Sequence, residues 1–350
     1  MKENKTKRSY EIDMCSGPLF SKIVLFALPL MASGVLQLLF NAADIIVVGR
    51  FAGSQSMAAV GSNGALINLM VNVFIGLSIG ANVLVARYYG ARDEKNLEET
   101  VHTAMVIAVV GGLLLIAVGE LLTKPILILM GSPEDVLPLA VLYMKIYFLG
   151  MPGTLVYNFG SAILRAVGDT RQPLYFLLTA GVVNVIFNLI FVIAFSMDVA
   201  GVGWATVISQ GVSGLLCLFY MKKKFTVLKM QGDEWRPHKH SMMMLCGMGI
   251  PMGLQYSITA IGSMVMQYAN NSLDSVVYVS AFTAALRLKQ FFMCPFDAIA
   301  TGVSVFCSQN LGAGKKKRIV KGLFQGMAVA VGYGLCAGIM LIFFGRILCQ

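Results

Sequence analysis

One aspartate lies inside a long apolar segment near the start of the chain, and two amide side chains precede it at helical spacing. Gln37, Asn41 and Asp44 are separated by four and three residues, which places all three on one face of a helix. An ionisable side chain within a membrane span is energetically costly and by default indicates a functional site. Burial away from water favours the neutral carboxyl, whereas hydrogen bonds to the charged form favour the carboxylate. A carboxyl balanced between these effects can bind and release a proton or another cation.

Two later apolar segments carry further polar side chains. Asn184 and Asn188 are one helical turn apart, and Thr206 lies in the next segment. Counted inward from the outer ends of their segments at about 1.5 Å per residue, Asp44, Asn188 and Thr206 reach a common depth of roughly 10 Å. The alternative for the neutral side chains is interhelical hydrogen bonding without an ion, which contributes about 0.6–2 kcal/mol. We predict an ion-coupling site of Asp44, Asn184, Asn188 and Thr206, with a supporting polar network of Gln37, Asn41 and Gln210.

A second group of charges lies late in the chain. Arg287, Lys289 and Asp297 share one apolar segment, with Pro295 between the bases and the acid. Their spacings of eight and ten residues do not put the acid squarely on the face of either base. Two interpretations therefore stay open: an internal charge pair, or a separate site in the second half of the chain.

The composition indicates the elements that position these residues. The hydrophobic fraction is 57% and the charged fraction 13%, outside the balance of a soluble globular domain. Apolar runs long enough to cross a bilayer recur throughout the chain. We predict an all-α polytopic membrane protein with about nine transmembrane helices, at 23–49, 57–86, 101–122, 137–164, 174–196, 200–221, 243–269, 276–308 and 320–345.

The distribution of basic residues predicts the orientation of these spans. The net charge is +10, but the lysines and arginines lie in the connectors on one side rather than on a folded basic face. The positive-inside rule then places the N-terminus in the cytoplasm. We expect a protein of the bacterial inner membrane and no nucleic-acid partner. The opposite connectors and helix ends hold only Arg50, Lys124, Lys145 and Arg346.

An internal repeat predicts the domain organisation. The first three spans align without gaps on the last three, so that Pro29 falls on Pro251 and Gly90 on Gly312. Both copies start on the same side, which makes them parallel repeats of two six-helix lobes. The prediction is an N-terminal lobe at 1–222, a cytoplasmic linker at 223–242 and the first part of a second lobe at 243–350. Because the second copy stops after three spans, we expect an N-terminal fragment that lacks three helices.

Motifs for ATP hydrolysis and for zinc-dependent catalysis are absent from the sequence. It contains no GxxxxGK[ST] or HExxH pattern, and the seven cysteines do not have metal-site spacing. We therefore predict no enzymatic activity, no metal and no cofactor other than H⁺ or Na⁺ as the coupling ion.

Four segments together resemble the multidrug and toxic compound extrusion (MATE) transporters over essentially the whole chain. They are ALPLMASGVLQLLFNAADIIVVGRFAG, LRAVGDTRQP, GVGWATVISQ and SQNLGAGK. The resemblance implies twelve helices in two lobes and export of cationic or amphipathic organic compounds, driven by inward H⁺ or Na⁺. It also implies that Asp44 is the coupling acid and that Asn184 and Thr206 are the matching polar positions.

Two departures from the family pattern bear on the ion. Some members carry an acid where this chain has Asn188, and others carry a Glu near the position of Thr259. A single acid in the first lobe favours H⁺ over Na⁺. The expected partners are small organic cations or amphipathic drugs and membrane lipid, and we expect a monomer. Two alternatives remain: a lipid-linked oligosaccharide or lipid flippase of the same superfamily, and a non-transporting membrane scaffold or receptor.

Overall fold

A computed structural model describes residues 12–129, 134–224, 238–271 and 276–348. In these ranges all regular secondary structure is helical. The predicted linker at 223–242 falls largely outside them, because residues 225–237 are not described. The helices are α1 (Leu19–Phe51), α2 (Gly53–Ala91), α3 (Glu94–Leu129), α4 (Leu137–Leu149), α5 (Met151–Ala166), α6 (Arg171–Leu189), α7 (Asp198–Lys224), α8 (Lys239–Asn271), α9 (Val276–Gly312) and α10 (Lys316–Leu348).

Within the described ranges, these helices supply nine candidate membrane spans. Eight are single helices with a sufficiently long apolar stretch, and the ninth is the pair α4 and α5. Their number and positions confirm the predicted all-α polytopic architecture. We call the end that carries residues 12–17 and Gly312 the inner end, following the predicted orientation, and the opposite end the outer end.

The fourth span is broken, which differs from the continuous span predicted at 137–164. Helices α4 and α5 meet at Gly150 with a bend of 50°. Pro152 follows in the first turn of α5. Proline has no backbone N–H, and its ring clashes with the carbonyl four residues earlier, so a continuous α-helix is unfavourable here. The bend separates the outer part of this span from its inner part.

The fifth span also departs from regular α-helix. It runs as α6 to Leu189 and continues as a π-helical turn over Ile190–Ala194. Single π turns inside membrane or soluble helices often occur at functional sites. This one begins two residues after Asn188, so it ends the part of α6 that carries the two predicted amides.

Glycines let α2 and α8 cross at backbone distance. A Cβ added to Gly76 would overlap the backbone nitrogen of Gly253, and one added to Gly249 would meet the backbone of Leu77. Small residues permit this kind of close helix approach in membranes. The crossing joins the first part of the chain to the part that follows residue 238.

The inner end is closed by the segment that precedes α1. Met14 is fully buried, and its backbone N–H donates to Oε1 of Gln309 at 3.3 Å. The Gln309 amide donates in turn to the carbonyl of Ala166 at 2.7 Å. Asn310 donates to the Met14 carbonyl at 3.1 Å, and Arg318 donates to the Ser16 carbonyl at 2.6 Å. We call this set of contacts the inner junction.

Candidate functional site

A cavity of about 710 Å³ lies among the helices. Its walls come from α1, α2 and α4–α9, so the helices on both sides of the α2–α8 crossing contribute. Its volume is within the range of small-molecule binding sites. Several side chains predicted from the sequence line it, namely Gln37, Asn41, Asp44, Asn184, Thr206, Gln210 and Asp297.

Asp44 and the two amides of α6 form one hydrogen-bonded chain. The Asn188 amide nitrogen donates to Oδ1 of Asp44 at 2.5 Å and to Oδ1 of Asn184 at 3.1 Å. Asn184 and Asn188 are both buried, while Asp44 reaches the cavity. The one-turn spacing of the two asparagines stacks them on the face of α6 that meets α1. Asn188 therefore holds the carboxylate from behind the cavity wall.

One oxygen in this cluster lacks a hydrogen-bond donor. Oδ1 of Asn188 is buried and has no hydrogen-bond partner among the described residues. A buried polar atom without a partner is costly and requires an explanation. This acceptor belongs to the residue whose amide nitrogen donates to Asp44.

The remaining predicted polar residues line the cavity without contacting Asp44. The Thr206 hydroxyl donates to the Val202 carbonyl of its own helix at 3.0 Å. Among the described residues, Gln37 and Asn41 have no side-chain hydrogen bond to Asp44 either. The structure therefore brings Asp44, Asn184 and Asn188 together, while Thr206 and Gln210 line the same cavity from α7.

Of the second group of predicted charges, Lys289 and Asp297 are not in contact with each other. Asp297 lines the cavity, but Lys289 is exposed and does not, and among the described residues these two form no salt bridge. The side chain of Arg287 lies outside the described residues. Eight residues of helix separate Lys289 from Asp297 by about 12 Å along the axis, which is too far for a direct ion pair.

Two tyrosines next to Asp44 were missed by the sequence analysis. Tyr143 and Tyr147 of α4 line the same cavity, with ring centroids 5.9 Å apart. Their four-residue spacing was the available signal, because it puts both rings on one helical face. They lie in α4, on the outer side of the break at Gly150.

The place of Arg165 in the cavity wall was also missed by the sequence analysis. Basic residues near the span ends were interpreted only as orienting charges, whereas Arg165 occupies the last turn of α5 and lines the cavity. Asn158, Ser161 and Arg165 recur at spacings of three and four, which was the signal for a shared face. A turn made by Gly168, with φ of +94°, follows this face and leads to α6.

In the part of the chain that the structure describes, nine helical spans and a cavity with polar and charged walls among seven of them are the features of a multi-pass membrane protein. A family model described as MatE matches residues 29–190 and 251–350, which is more than half of the chain. The chain belongs to this family of multidrug efflux transporters, and the resemblance stated above is confirmed.

Individual relatives give the same assignment. The chain is 30% identical over 311 residues to a probable multidrug resistance protein, YpnP, of Bacillus subtilis (strain 168), covering 88% of this chain and 68% of the relative. It is 27% identical over 307 residues to a second such protein of the same organism, YoeA, covering 84% of this chain and 65% of the relative. The chain thus spans about two thirds of the length of these curated relatives.

A solved structure matches the fold closely. It is the outward-facing conformation of a multidrug resistance MATE family transporter of the MOP superfamily. The TM-score is 0.90 at 21% identity, and the match covers 98% of this chain and 76% of the other. At this identity the similarity establishes the fold.

Proposed function

We propose that this protein exports cationic and amphipathic organic compounds by alternating access, coupled to inward movement of H⁺ through Asp44. The observation that carries the proposal is the hydrogen-bonded chain from Asp44 to Asn188 and Asn184 at the edge of the large cavity. The family assignment and the multidrug-resistance descriptions of the relatives support the substrate class.

The contacts of Asn188 suggest how protonation is coupled to movement. The charged Asp44 only accepts hydrogen bonds, so it takes one from the Asn188 amide; a protonated Asp44 also carries a donor. The partnerless Asn188 oxygen is the acceptor that this new donor would use. Protonation would replace one hydrogen-bonding arrangement by the other. This would change the packing of α1 against α6, because Asp44 belongs to α1 and Asn188 to α6. We infer that this change alters the cavity and releases the substrate outward.

The driving force is sufficient for accumulation against a gradient. Each elementary charge that moves inward provides about 2.3 kcal/mol per 100 mV of membrane potential, and a pH gradient adds to it. Na⁺ is the alternative coupling ion, since a carboxylate beside an unpaired amide oxygen also offers oxygen ligands for a hard cation.

The cavity charges do not favour lipid-linked export. A flippase for phosphate-bearing lipids would require a strongly basic cavity. Among the described lining residues, the acids Asp44 and Asp297 outnumber the base Arg165. A non-transporting scaffold would not need a buried carboxylate at the edge of a cavity of this size.

The test is ethidium accumulation in bacteria that lack their own major efflux pumps. Cells expressing the protein or Asp44→Asn are compared at outside pH 6 and pH 8, with and without Na⁺. We expect efflux that follows the proton gradient in the unmodified protein and falls at least tenfold in the variant. Asp198→Asn is the matched control, because Asp198 is exposed at the start of α7 and does not line the cavity.

Each result has a defined meaning. Efflux by Asp44→Asn equal to that of the control, at matched membrane expression, would remove Asp44 from the mechanism. Efflux that requires Na⁺ and ignores the pH gradient would replace H⁺ by Na⁺. Absence of efflux in the unmodified protein would overturn drug export as its activity.

A further inference from the structure

The guanidinium of Arg165 is the one basic group on the described walls of the large cavity. It also lines a second cavity of about 410 Å³ that shares Gln37, Tyr157 and Asp297 with the first. The two cavities therefore meet at this side chain, at the inner end of α5.

The hydrogen bonds of Arg165 are local and leave most of its donors free. Nε donates to the Ser161 carbonyl at 3.1 Å, and Nη2 donates to the Ser161 hydroxyl at 3.3 Å. Both contacts are to the preceding turn of its own helix, so they fix the direction of the guanidinium. Among the described residues, Nη1 has no hydrogen-bond partner and no carboxylate forms a salt bridge with the group. Guanidinium has five N–H donors in a planar fork, and these contacts use only two.

A charged group held in a membrane cavity without a counter-ion is costly. Structural arginines in such places are normally paired with acids or backbone carbonyls. Arg165 has one such carbonyl contact, through Nε to Ser161, and no described acid forms a salt bridge with it. The smaller cavity around it is lined by the neutral polar groups of Asn158 and Gln290 and by the carboxyl of Asp297. A planar guanidinium with unpaired N–H donors can bind a carboxylate or phosphate that belongs to a ligand rather than to the protein.

We propose that Arg165 binds an anionic group, a carboxylate or phosphate, of the transported molecule. Asp297 lines the same two cavities from α9, and Asp44 lines the larger one from α1. A purely anionic ligand would be repelled by these acids. A molecule with separated positive and negative groups can instead pair its anion with Arg165 and its cation with the carboxylates. The substrate class is therefore an amphipathic zwitterion, with its anion at Arg165 and its cation toward the carboxylates.

This inference rests on the proposed function for the identity of the cavity as the substrate site. Its test measures binding rather than transport, so that it stays separate from ion coupling. The probes are tetramethylrhodamine free acid, a zwitterion, and tetramethylrhodamine methyl ester, which has the same cationic ring system but no carboxylate. Their binding to the purified protein in detergent micelles is measured by fluorescence anisotropy.

Removal of the guanidinium should discriminate between these two dyes. For Arg165→Gln we expect affinity for the free acid to fall about tenfold, which corresponds to roughly 1.4 kcal/mol. Affinity for the ester should change less than threefold, and this retained binding shows that the variant is folded. Arg165→Lys should restore part of the free-acid affinity, because it keeps the charge but loses the planar fork. Arg50→Gln, at the exposed outer end of α1, should leave both affinities unchanged.

Two other outcomes would overturn the proposal, and a third would separate it from the proposed function. Equal weakening of both dyes by Arg165→Gln would assign Arg165 a structural role. Unchanged binding of the free acid would show that the carboxylate does not contact Arg165. Normal selectivity in binding together with failed ethidium efflux would leave the anion site intact while rejecting drug export.

Discussion

At the scale of single residues, Asn188 occupies the central position of the candidate coupling site. Its one amide nitrogen contacts both Asp44 and Asn184, while its oxygen has no partner among the described residues. Asn184 contacts Asn188 but not Asp44. The two asparagines therefore differ in their connection to the carboxylate, although they have the same chemistry and share one helix.

This difference gives a matched pair of variants. Asn188→Ala removes a hydrogen bond to a charged group, a contact worth about 1.5–3 kcal/mol, and should reduce proton-driven ethidium efflux tenfold or more. Asn184→Ala should reduce it less than threefold, because Asp44 keeps its donor. Initial efflux rates at equal expression measure both. An equal loss in the two variants would show that the amides act only as interhelical contacts.

Outside the membrane spans, Asp93 controls the start of α3. Its carboxylate accepts hydrogen bonds from the Asn96 side chain at 2.6 Å and from the Asn96 backbone N–H at 3.2 Å. These bonds, the side-chain bond first, lower the pKa of Asp93 from its ordinary value of 3.8. Asp93→Ala should destabilise the protein by about 1 kcal/mol at pH 7, whereas Asp93→Asn should cost less because asparagine also caps helices.

The pH dependence of this cap has a defined sign. Because the folded-state pKa is lowered, the contribution of the charge is present above the ordinary pKa and is lost as the pH falls through the folded-state value. Thermal unfolding in detergent should give a constant difference between the protein and Asp93→Ala from pH 8 to pH 5, shrinking below pH 4. A difference that grows on acidification would contradict the assigned hydrogen bonds.

At the scale of helices, the α2–α8 crossing depends on glycine at the contact itself. Gly76→Ala places a methyl group on the backbone of Gly253, and we expect a destabilisation of about 1–3 kcal/mol from overpacking. Gly247→Ala is the control in α8, because a Cβ there meets nothing within 4 Å. It should be neutral, or stabilising by up to about 1 kcal/mol through helix propensity. Thermal unfolding of the two variants side by side is the measurement, and similar effects would show that α2 and α8 separate easily.

The sequence predicted these helices well and their irregularities poorly. Apolar length and helical spacing depend only on local chemistry, so the nine spans and the face shared by Gln37, Asn41 and Asp44 could be predicted. The break at Gly150 was missed because a proline inside a span does not always interrupt it; α1 runs unbroken through Pro29. Arg165 was missed because its position near a connector resembles that of an orienting basic residue. Only packing of α5 against the rest of the bundle places its guanidinium on the cavity wall.

At the scale of the whole molecule, the inner junction joins the segment before α1 to α5, α9 and α10. Gln309 is almost fully buried and connects the Met14 N–H with the Ala166 carbonyl. The proposed alternating access would require these contacts to break when the inner end opens.

Weakening the junction should shift the protein toward the opposite state. Gln309→Leu leaves two buried backbone groups unsatisfied, so we expect a larger population with separated inner ends. Spin labels at the exposed Lys95 and Lys317, after replacement of the seven cysteines, report this separation by pulsed electron paramagnetic resonance. Gln325→Leu on the exposed face of α10 is the control. Identical distance distributions in all variants would show that Gln309 does not hold the inner end closed.

The position of the glycine crossing along α2 sets unequal lever arms. Gly76 lies about 35 Å from the outer end of α2 and about 22 Å from its inner end, at 1.5 Å per residue. If α2 turns about this point as a rigid rod, a rotation of about 10° displaces the outer end by about 6 Å and the inner end by about 4 Å. The same rotation would therefore open the outer end more widely than the inner end. In the proposed export cycle, the substrate would leave through a wider opening than the one by which it enters.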